Sequence, residues 1–391
     1  MSETNDNISS KEAMCFLHVT LGNHPAVVDK VIEYFGNSIE AATAPEADYK
    51  EVLNDSQIAA ILHEREFCGI QSAILSLESE GIKYCSKYDK EYPENLREVS
   101  GAPLSLFYRG SLPDVRLPSV AIVGARNCSP YGRQMAREYA REIAMAGIQV
   151  ISGMAYGVDS IAGRATVDVD GLSYAVLGCG CDVCYPKESR DLYDKLVRTG
   201  GVISEFVPHT APMPGFFPMR NRIISGLCDA LLVVEARKKS GTLITVGTAL
   251  EQGRDVYVIP GRVTDSLSYG CNTLLREGAM PALSPREFVE DFFAHQRSYG
   301  KVYGDGKGTE ASANACDYDT KRGMYLSNLN EKERAVVRAL DYTPRSVSEI
   351  FCAISDYSDI TFPELMSTLT TMTLRHKISC IDGGSYYLAE M

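Results

Sequence analysis

Residues 212–225, with the sequence PMPGFFPMRNRIIS, place an aromatic ring and two fixed positive charges close together at the start of a predicted helix. The guanidinium groups of Arg220 and Arg222 are planar forks of donors that suit phosphate oxygens, and the ring of Phe217 offers a face for a nucleobase. This combination favours binding of a single-stranded nucleic acid. The same pattern is also typical of an ordinary helix, with Phe217 in the core and both arginines paired with acids.

Two glycine-bearing turns could bind anions. Each follows a predicted strand and leads toward a predicted helix, where backbone N–H groups and nearby cations can approach a phosphate. Each turn is also typical of an ordinary capped helix start with a solvated cation. The presence of two such turns at one sheet edge, however, favours the anion-binding interpretation of both. The residues concerned are Gly124, Ala125 and Arg126 in the first turn, and Lys239, Ser240, Gly241 and Thr242 in the second.

Length and composition indicate a multidomain globular protein. The 391 residues are enough for two or three domains, and no segment approaches the ~20 apolar residues of a membrane span. The polar amino-terminal sequence shows no apolar signal region, so we expect a cytoplasmic protein. A net charge of −12 counts against long-range attraction of a polyanion. Residues 219–239 are nevertheless locally basic, with five arginines and lysines against two acids.

Motifs for metal, cofactor and catalytic sites are weak. Cys179, Cys181 and Cys184 could form half of a zinc site, but no matching fourth ligand is visible, and we interpret them as incidental thiols with no metal. The first glycine-bearing turn lacks the Gly-x-Gly-x-x-Gly motif, and the sequence contains no Walker motif. Binding of a dinucleotide or of ATP at a Walker site is therefore disfavoured, and we predict no cofactor. Asp159 and Glu205 could act as acid or base, but Asp159 stands where a helix cap is expected. We therefore predict a protein without catalytic activity.

The pattern of apolar runs predicts an α/β fold with two further domains. Residues 1–85 show helical spacing, and residues 86–295 alternate short β-branched runs with helical segments, as in a doubly wound parallel sheet. Residues 296–325 are predicted to be a flexible linker, because they are rich in Gly, Ala, Asp and Lys. Residues 326–391 have the element order of a winged helix, and their charge of −3 favours contact with protein over duplex DNA.

Several motifs, in order along most of the chain, resemble the DNA-processing protein A family, DprA or Smf. They are Asp89-Lys90-Glu91-Tyr92-Pro93, Val123-Gly124-Ala125-Arg126, Ser152-Gly153-x-Ala155-x-Gly157-x-Asp159, Leu177-Gly178-x-Gly180, Phe217-Pro218-x-Arg220-Asn221-Arg222-Ile223-Ile224, Ser240-Gly241-Thr242-Leu243-Ile244-Thr245, Ile259-Pro260-Gly261 and Gly270-x-Asn272-x-Leu274. One departure is Ala162-Gly163, where many relatives have Ala-His.

The resemblance implies an extended Rossmann-like domain that binds single-stranded DNA, forms a homodimer through that domain, and helps to load RecA during natural transformation. By position, Arg126 would hold phosphate, Phe217 would stack on a base, and Arg220, Asn221 and Arg222 would line the groove. The turn at 238–242 would add Lys239 and backbone donors. The amino-terminal helices resemble a sterile-alpha-motif-like or helix-hairpin-helix module, and the carboxyl-terminal domain resembles a winged helix.

A second hypothesis from another functional class is a nucleotide-cleaving phosphoribohydrolase that resembles the lysine-decarboxylase-like family. Such an enzyme should carry a Pro-Gly-Gly-x-Gly-Thr turn followed by a catalytic Glu. Here the corresponding turn is Ser240-Gly241-Thr242 without the preceding pair of glycines. The sequence therefore favours the DNA-binding hypothesis.

Overall fold

The computed structural model describes residues 8–22, 25–298, 329–340, 345–355, 360–375, 378–381 and 384–388. Contacts divide the chain into two compact units. The first comprises residues 1–128 and 135–306, and the second comprises residues 129–134 and 307–391.

In its described residues, the first unit begins with a cluster of six helices. They are α1 (Ser10–Leu21), α2 (Pro25–Phe35), α3 (Ser38–Thr43), α4 (Glu46–Tyr49), α5 (Asp55–Phe67) and α6 (Ser72–Ser79). Capping boxes start α1 at Ser9 and α5 at Asn54. In each, the cap side chain accepts a hydrogen bond from the backbone N–H of the third helical residue, and the side chain of that residue accepts one from the backbone N–H of the cap. The helices share a core that includes Phe16 and Ile61.

That core continues into the sheet that follows. Leu104 and Phe107 belong to the same apolar cluster as the helices, and so does Tyr84 of the first strand. The predicted boundary at residue 85 falls within this strand, Lys83–Ser86. The helical segment is therefore packed on the α/β part of the unit.

A nine-stranded sheet forms the centre of the first unit, with strand order β1-β2-β6-β5-β4-β3-β7-β8-β9. Strands β3 to β9 are mutually parallel, whereas β2 runs antiparallel to both of its neighbours, β6 and the edge strand β1. The strands are β1 (Lys83–Ser86), β2 (Ser105–Gly110), β3 (Ser119–Val123), β4 (Gln149–Ser152), β5 (Ser173–Val176), β6 (Gly201–Ser204), β7 (Ala230–Val233), β8 (Asp255–Val258) and β9 (Met280–Pro281).

Helices lie between most successive strands of this sheet and after its last strand. They are α7 (Glu94–Arg97), α8 (Pro130–Met145), α9 (Val158–Val167), α10 (Arg190–Thr199), α11 (Phe216–Leu227), α12 (Gly241–Glu251), α13 (Tyr269–Arg276) and α14 (Pro285–Ser298). The predicted doubly wound sheet is confirmed, because the β-branched runs near residues 120, 150, 174, 202, 230 and 256 all form buried strands.

The strand order reverses between β3 and β7. These two strands are neighbours in the sheet, but the chain leaves β3 toward β4 on one side and leaves β7 toward β8 on the other. In open α/β sheets, ligands bind beyond the carboxyl ends of the strands at such a switch point. The loops after β3 and β7 are the two glycine-bearing turns that the sequence suggested as anion sites.

The described residues of the second unit from 329 onward form three helices and a small antiparallel sheet. The helices are α15 (Glu331–Ala339), α16 (Val347–Ser355) and α17 (Phe362–Leu374), and the strands are β10 (Arg345–Ser346), β11 (Ile378–Ile381) and β12 (Ser385–Leu388). The sheet order is β10-β12-β11. The three predicted helices are present, and the winged-helix assignment stays a prediction.

The predicted linker, residues 296–325, begins in a helix, since α14 extends to Ser298. Its residues from 299 onward lie outside the described part of the chain. Among the described helices, none is both long enough and apolar enough to cross a membrane.

Burial of one histidine couples the stability of the helical cluster to pH. His18 of α1 is 2 % exposed and packs edge-on against the ring of Phe107, with 5.4 Å between ring centroids. Burial disfavours the imidazolium and lowers the pKa of His18 from its ordinary 6.5 to about 4. Protonation below pH 6.5 therefore favours the unfolded chain, and stability falls as the pH drops from 6.5 toward 4.

We expect His18→Leu to remove this acid sensitivity. Between pH 7 and pH 4.5, protonation of His18 in the unfolded chain should lower the free energy of unfolding of the wild type by about 2 to 3 kcal/mol. The variant should lack this contribution. Chemical denaturation at a series of pH values measures the difference. His63→Gln, at an exposed position of α5, is the matched control. Identical pH dependence in the wild type and His18→Leu would contradict the assignment.

Candidate nucleic-acid interface

Helix α11 contacts β3, β4 and β5, and its first turns lie at the carboxyl ends of β4 and β5. It begins at Phe216, after the Pro- and Gly-containing segment 212–215 that cannot extend a helix backward. Phe217, Arg220 and Ile224 recur at intervals of three and four residues, which places them on one face of the helix. That face is turned toward the sheet.

Arg220 is buried in the protein, with only 4 % of its surface exposed. Its guanidinium Nη1 donates hydrogen bonds to the carbonyl oxygens of Gly153, at 2.8 Å, and of Val176. These carbonyls stand at the ends of β4 and β5, so one side chain ties α11 to two strands. Burial lowers the pKa of Arg220 to about 10, with the nearby Asp159 carboxylate opposing the shift. The guanidinium therefore stays charged at neutral pH.

Asp159 completes this buried polar group. Its Oδ2 accepts a hydrogen bond from the Gly153 N–H at 3.1 Å, and its charge faces that of Arg220. Burial raises the pKa of Asp159, whereas Arg220 acts in the opposite direction. A Cβ atom on Gly153 would lie 2.2 Å from the Arg220 Nη1. Only glycine leaves room for the guanidinium here, which explains the residue type in this turn.

Phe217 lies one helical turn before Arg220 and is partly exposed. Its ring sits against Gly178, where a Cβ atom would be 3.0 Å from the ring carbon Cδ1. The Arg126 guanidinium lies over the ring at 5.3 Å from the centroid, and the Tyr185 ring lies 5.5 Å away at 37°. Phe217, Arg126 and Tyr185 thus form one composite surface of aromatic rings and a cation, which we call the aromatic–cation cluster.

The turn that carries Arg126 is held by close contact with the next loop. Gly157 has φ of 75°, and a Cβ atom there would lie 2.3 Å from the carbonyl oxygen of Ala125. A Cβ atom on Gly124 would meet the Val158 side chain at 2.7 Å. The loops after β3 and β4 are therefore pressed together through glycines. This contact fixes the backbone of the turn, while the Arg126 side chain is exposed to solvent.

Arg222 is directed toward an acid. Its Nη2 donates to the Oε2 of Glu205, whose carboxylate is buried after β6. Burial raises the pKa of Glu205, and Arg222 opposes the shift by charge and hydrogen bonding. Asn221, between the two arginines, is only partly exposed. Arg222 already has a partner for its charge within the protein.

The loop after β7 presents the second set of predicted residues. Arg237, Lys238 and Lys239 are exposed, and the Ser240 hydroxyl accepts a hydrogen bond from the Thr242 N–H at 3.2 Å to cap α12. Gly241 is exposed with open space beside it, whereas Thr242 is buried. The three cations therefore stand at the switch point next to a capped helix start.

Cys179, Cys181 and Cys184, which the sequence analysis interpreted as thiols without a metal, follow β5 at this edge of the sheet. The Cys179 and Cys184 thiols donate to backbone carbonyls of Val183 and Pro186, each at 3.4 Å. Burial raises the pKa of Cys179 to about 12, and it also raises the pKa of Cys181 and Cys184. Within the described ranges, no group of three or more potential ligands is placed to hold a metal ion.

The structure separates the predicted site residues into two groups. Exposed or partly exposed at the carboxyl edge are Gly124, Arg126, Phe217, Lys239, Ser240 and Gly241. Asn221 of α11 is also partly exposed, whereas Thr242 of α12 is buried. The expectation that Arg220 lines an open groove does not fit its geometry, because both carbonyl bonds turn it inward, and Arg222 is engaged with Glu205. The helical spacing of Arg220 with Phe217 and Ile224 places all three on one face of the helix, and this spacing could have predicted that Arg220 faces the sheet. The sequence analysis missed Tyr185, which joins the cluster through its contact with Phe217.

Comparison with known proteins identifies the family. The family model described as DNA recombination-mediator protein A matches residues 83–293, which include the whole nine-stranded sheet and the aromatic–cation cluster. The chain belongs to the DprA/Smf family. This membership places it among DNA-processing recombination mediators.

Two DprA/Smf relatives each align with more than half of the chain. The DNA processing protein DprA of Streptococcus pneumoniae is 40 % identical over 233 residues, which are 60 % of this chain and 82 % of that protein. Protein Smf of Escherichia coli is 37 % identical over 223 residues, 57 % of this chain and 60 % of that protein. The crystal structure of the S. pneumoniae DprA protein superposes with a TM-score of 0.59 at 33 % identity, covering 73 % of this chain and 98 % of that one.

The buried position of Arg220 predicts a structural role that can be measured. We expect Arg220→Ala to lower the free energy of unfolding by about 3 to 5 kcal/mol, because Asp159 and two strand-end carbonyls lose a buried partner. The matched control is Arg126→Ala, which removes an exposed guanidinium and should change stability by less than about 1 kcal/mol. Urea denaturation of the full chain tests both. Equal small losses would show that Arg220 does not hold α11 in place.

Proposed function

We propose that this chain binds single-stranded DNA along the carboxyl edge of its sheet and assists assembly of RecA on that strand. The observation that carries the proposal is the aromatic–cation cluster of Arg126, Phe217 and Tyr185 beside the switch point. An arginine plane and two rings offer stacking surfaces, and the guanidinium also supplies donors for phosphate. Lys239 and the cap of α12 extend the positive surface across β7.

Stacking favours a single strand over a duplex. In a duplex the faces of the bases are already covered by neighbouring bases, so a protein ring cannot reach them without unstacking the helix. An unpaired strand exposes these faces, and stacking on a protein ring tolerates any base. The cluster therefore supports recognition of unpaired DNA with little sequence preference.

The charge distribution supports the same distinction. The chain carries a net charge of −12, so its surface as a whole does not attract a polyanion. Exposed Arg126, Arg237, Lys238 and Lys239 concentrate positive charge at the sheet edge. Binding should therefore depend on short-range phosphate contacts at this edge and weaken as salt rises.

The central test is a titration of labelled oligothymidine against duplex of equal length. We expect tighter binding of the oligothymidine. Phe217→Ala should weaken it by about 1 to 3 kcal/mol through lost stacking. Arg126→Ala should weaken it and reduce the slope of log affinity against log salt by about 0.7, as expected for one lost phosphate contact.

The matched control for Arg126→Ala is Arg116→Ala. Arg116 is also highly exposed, but it precedes β3 and so lies at the amino edge of the sheet, where it pairs with Asp114. This control should leave the affinity and the salt slope unchanged. Equal binding of single strand and duplex, or equal effects of the two arginine variants, would refute the proposal.

We also propose that the chain acts as a homodimer and that RecA is the partner, as supported by membership of a recombination-mediator family. The rate of RecA assembly on oligothymidine should rise when the wild-type chain is added and rise less with Arg126→Ala. Light scattering on the same sample should give twice the 42.8 kDa of one chain. An unchanged assembly rate with DNA-bound protein would reject the RecA part, and a monomeric mass would reject the dimer.

A further inference from the structure

A second exposed aromatic residue stands across the switch point from the aromatic–cation cluster. Tyr269, the first residue of α13, is 47 % exposed. The Lys238 Nζ lies over its ring at 5.5 Å from the centroid, in the range of a cation–π contact. An aromatic ring and a cation thus meet here as they do at Phe217, on the other side of β3.

The backbone holds Tyr269 firmly beside the basic loop. The Ala236 N–H donates to the carbonyl of Leu267 at 2.8 Å, and the Gly270 N–H donates to the carbonyl of Ala236 at 2.7 Å. A Cβ atom on Gly270 would lie 2.6 Å from that same carbonyl oxygen, so only glycine permits this approach. The start of α13 is therefore clamped to the end of β7. An exposed ring on a fixed backbone is preorganised for stacking.

The two aromatic positions stand at a distance that a short strand can bridge. Phe217 lies against Gly178 beyond the end of β5, and Tyr269 lies beside the end of β7. Strands β4 and β3 lie between them, which makes three strand spacings, or about 14 Å along the edge. Lys238 and Lys239 are exposed near the Tyr269 end of this path.

Resting on the proposed function, we infer that Tyr269 is a second base-stacking position for the same DNA strand, several nucleotides from Phe217. Lys238 and Lys239 contact phosphates between the two positions. The strand then crosses the sheet edge from the aromatic–cation cluster to α13. A ligand too short to reach from one ring to the other uses only one of them.

The test measures the affinities of oligothymidines from 3 to 20 nucleotides for the full chain. Tyr269→Ala and Tyr269→Leu should weaken binding of the long oligonucleotides about 5- to 100-fold. Both should leave the shortest nearly unaffected, whereas Phe217→Ala weakens binding at every length. Tyr269→Phe keeps the ring and should bind like the wild type. Tyr34→Ala, at a comparably exposed tyrosine of α2, is the matched control.

A direct signal is available because the chain contains no tryptophan. In Tyr269→Trp, the single indole should lose fluorescence when a long oligothymidine is added, and the emission of Tyr34→Trp should not change. If the wild type and Phe217→Ala behave as proposed while Tyr269→Ala binds like the wild type and Tyr269→Trp shows no quenching, this inference alone is wrong. If the wild type binds no oligothymidine, the proposed function fails and the inference fails with it.

Discussion

The hydrogen bonds from the buried Arg220 guanidinium to the ends of β4 and β5 are the interaction on which the proposed interface depends. Parallel strands end with carbonyl oxygens that need donors, and the helix that crosses them must supply these or leave them to solvent. Arg220 supplies two bonds from one nitrogen, with Asp159 balancing its charge. Because Phe217 lies one turn earlier on the same face, the anchored arginine also fixes where the ring stands.

The fold was predictable from the sequence because its central strands are buried on both faces. Runs such as Val120–Val123 and Ala230–Val234 contain almost only apolar residues, and few structures other than a parallel sheet with helices on both sides bury such runs. The edge strand β1 was missed because Lys83–Ser86 mixes polar and aromatic residues and gains its position from pairing with β2. Whether such a segment forms a strand depends on its position in the sheet more than on its local sequence pattern.

The candidate site was predictable in its residue types but not in the direction of each side chain. The sequence placed Arg126, Phe217 and Lys239 at one sheet edge, and the structure exposes them there at least in part. The sequence analysis predicted the same role for Arg220 and Arg222, but in the structure both guanidinium groups have partners inside the protein. An arginine on the surface and a buried one look alike in a motif, because the difference lies in which carbonyls or carboxylates the fold brings within reach.

The close fit between Gly153 and Arg220 couples two distant positions of the chain. Any larger residue at position 153 collides with the guanidinium, and loss of the guanidinium first leaves strand ends and an acid without a partner. Each replacement alone therefore disturbs the contacts of the other residue, and we expect the effects of changes at the two positions to be non-additive. A pair separated by 67 positions in the chain thus acts as one structural unit, and the position of the Phe217 ring depends on that unit.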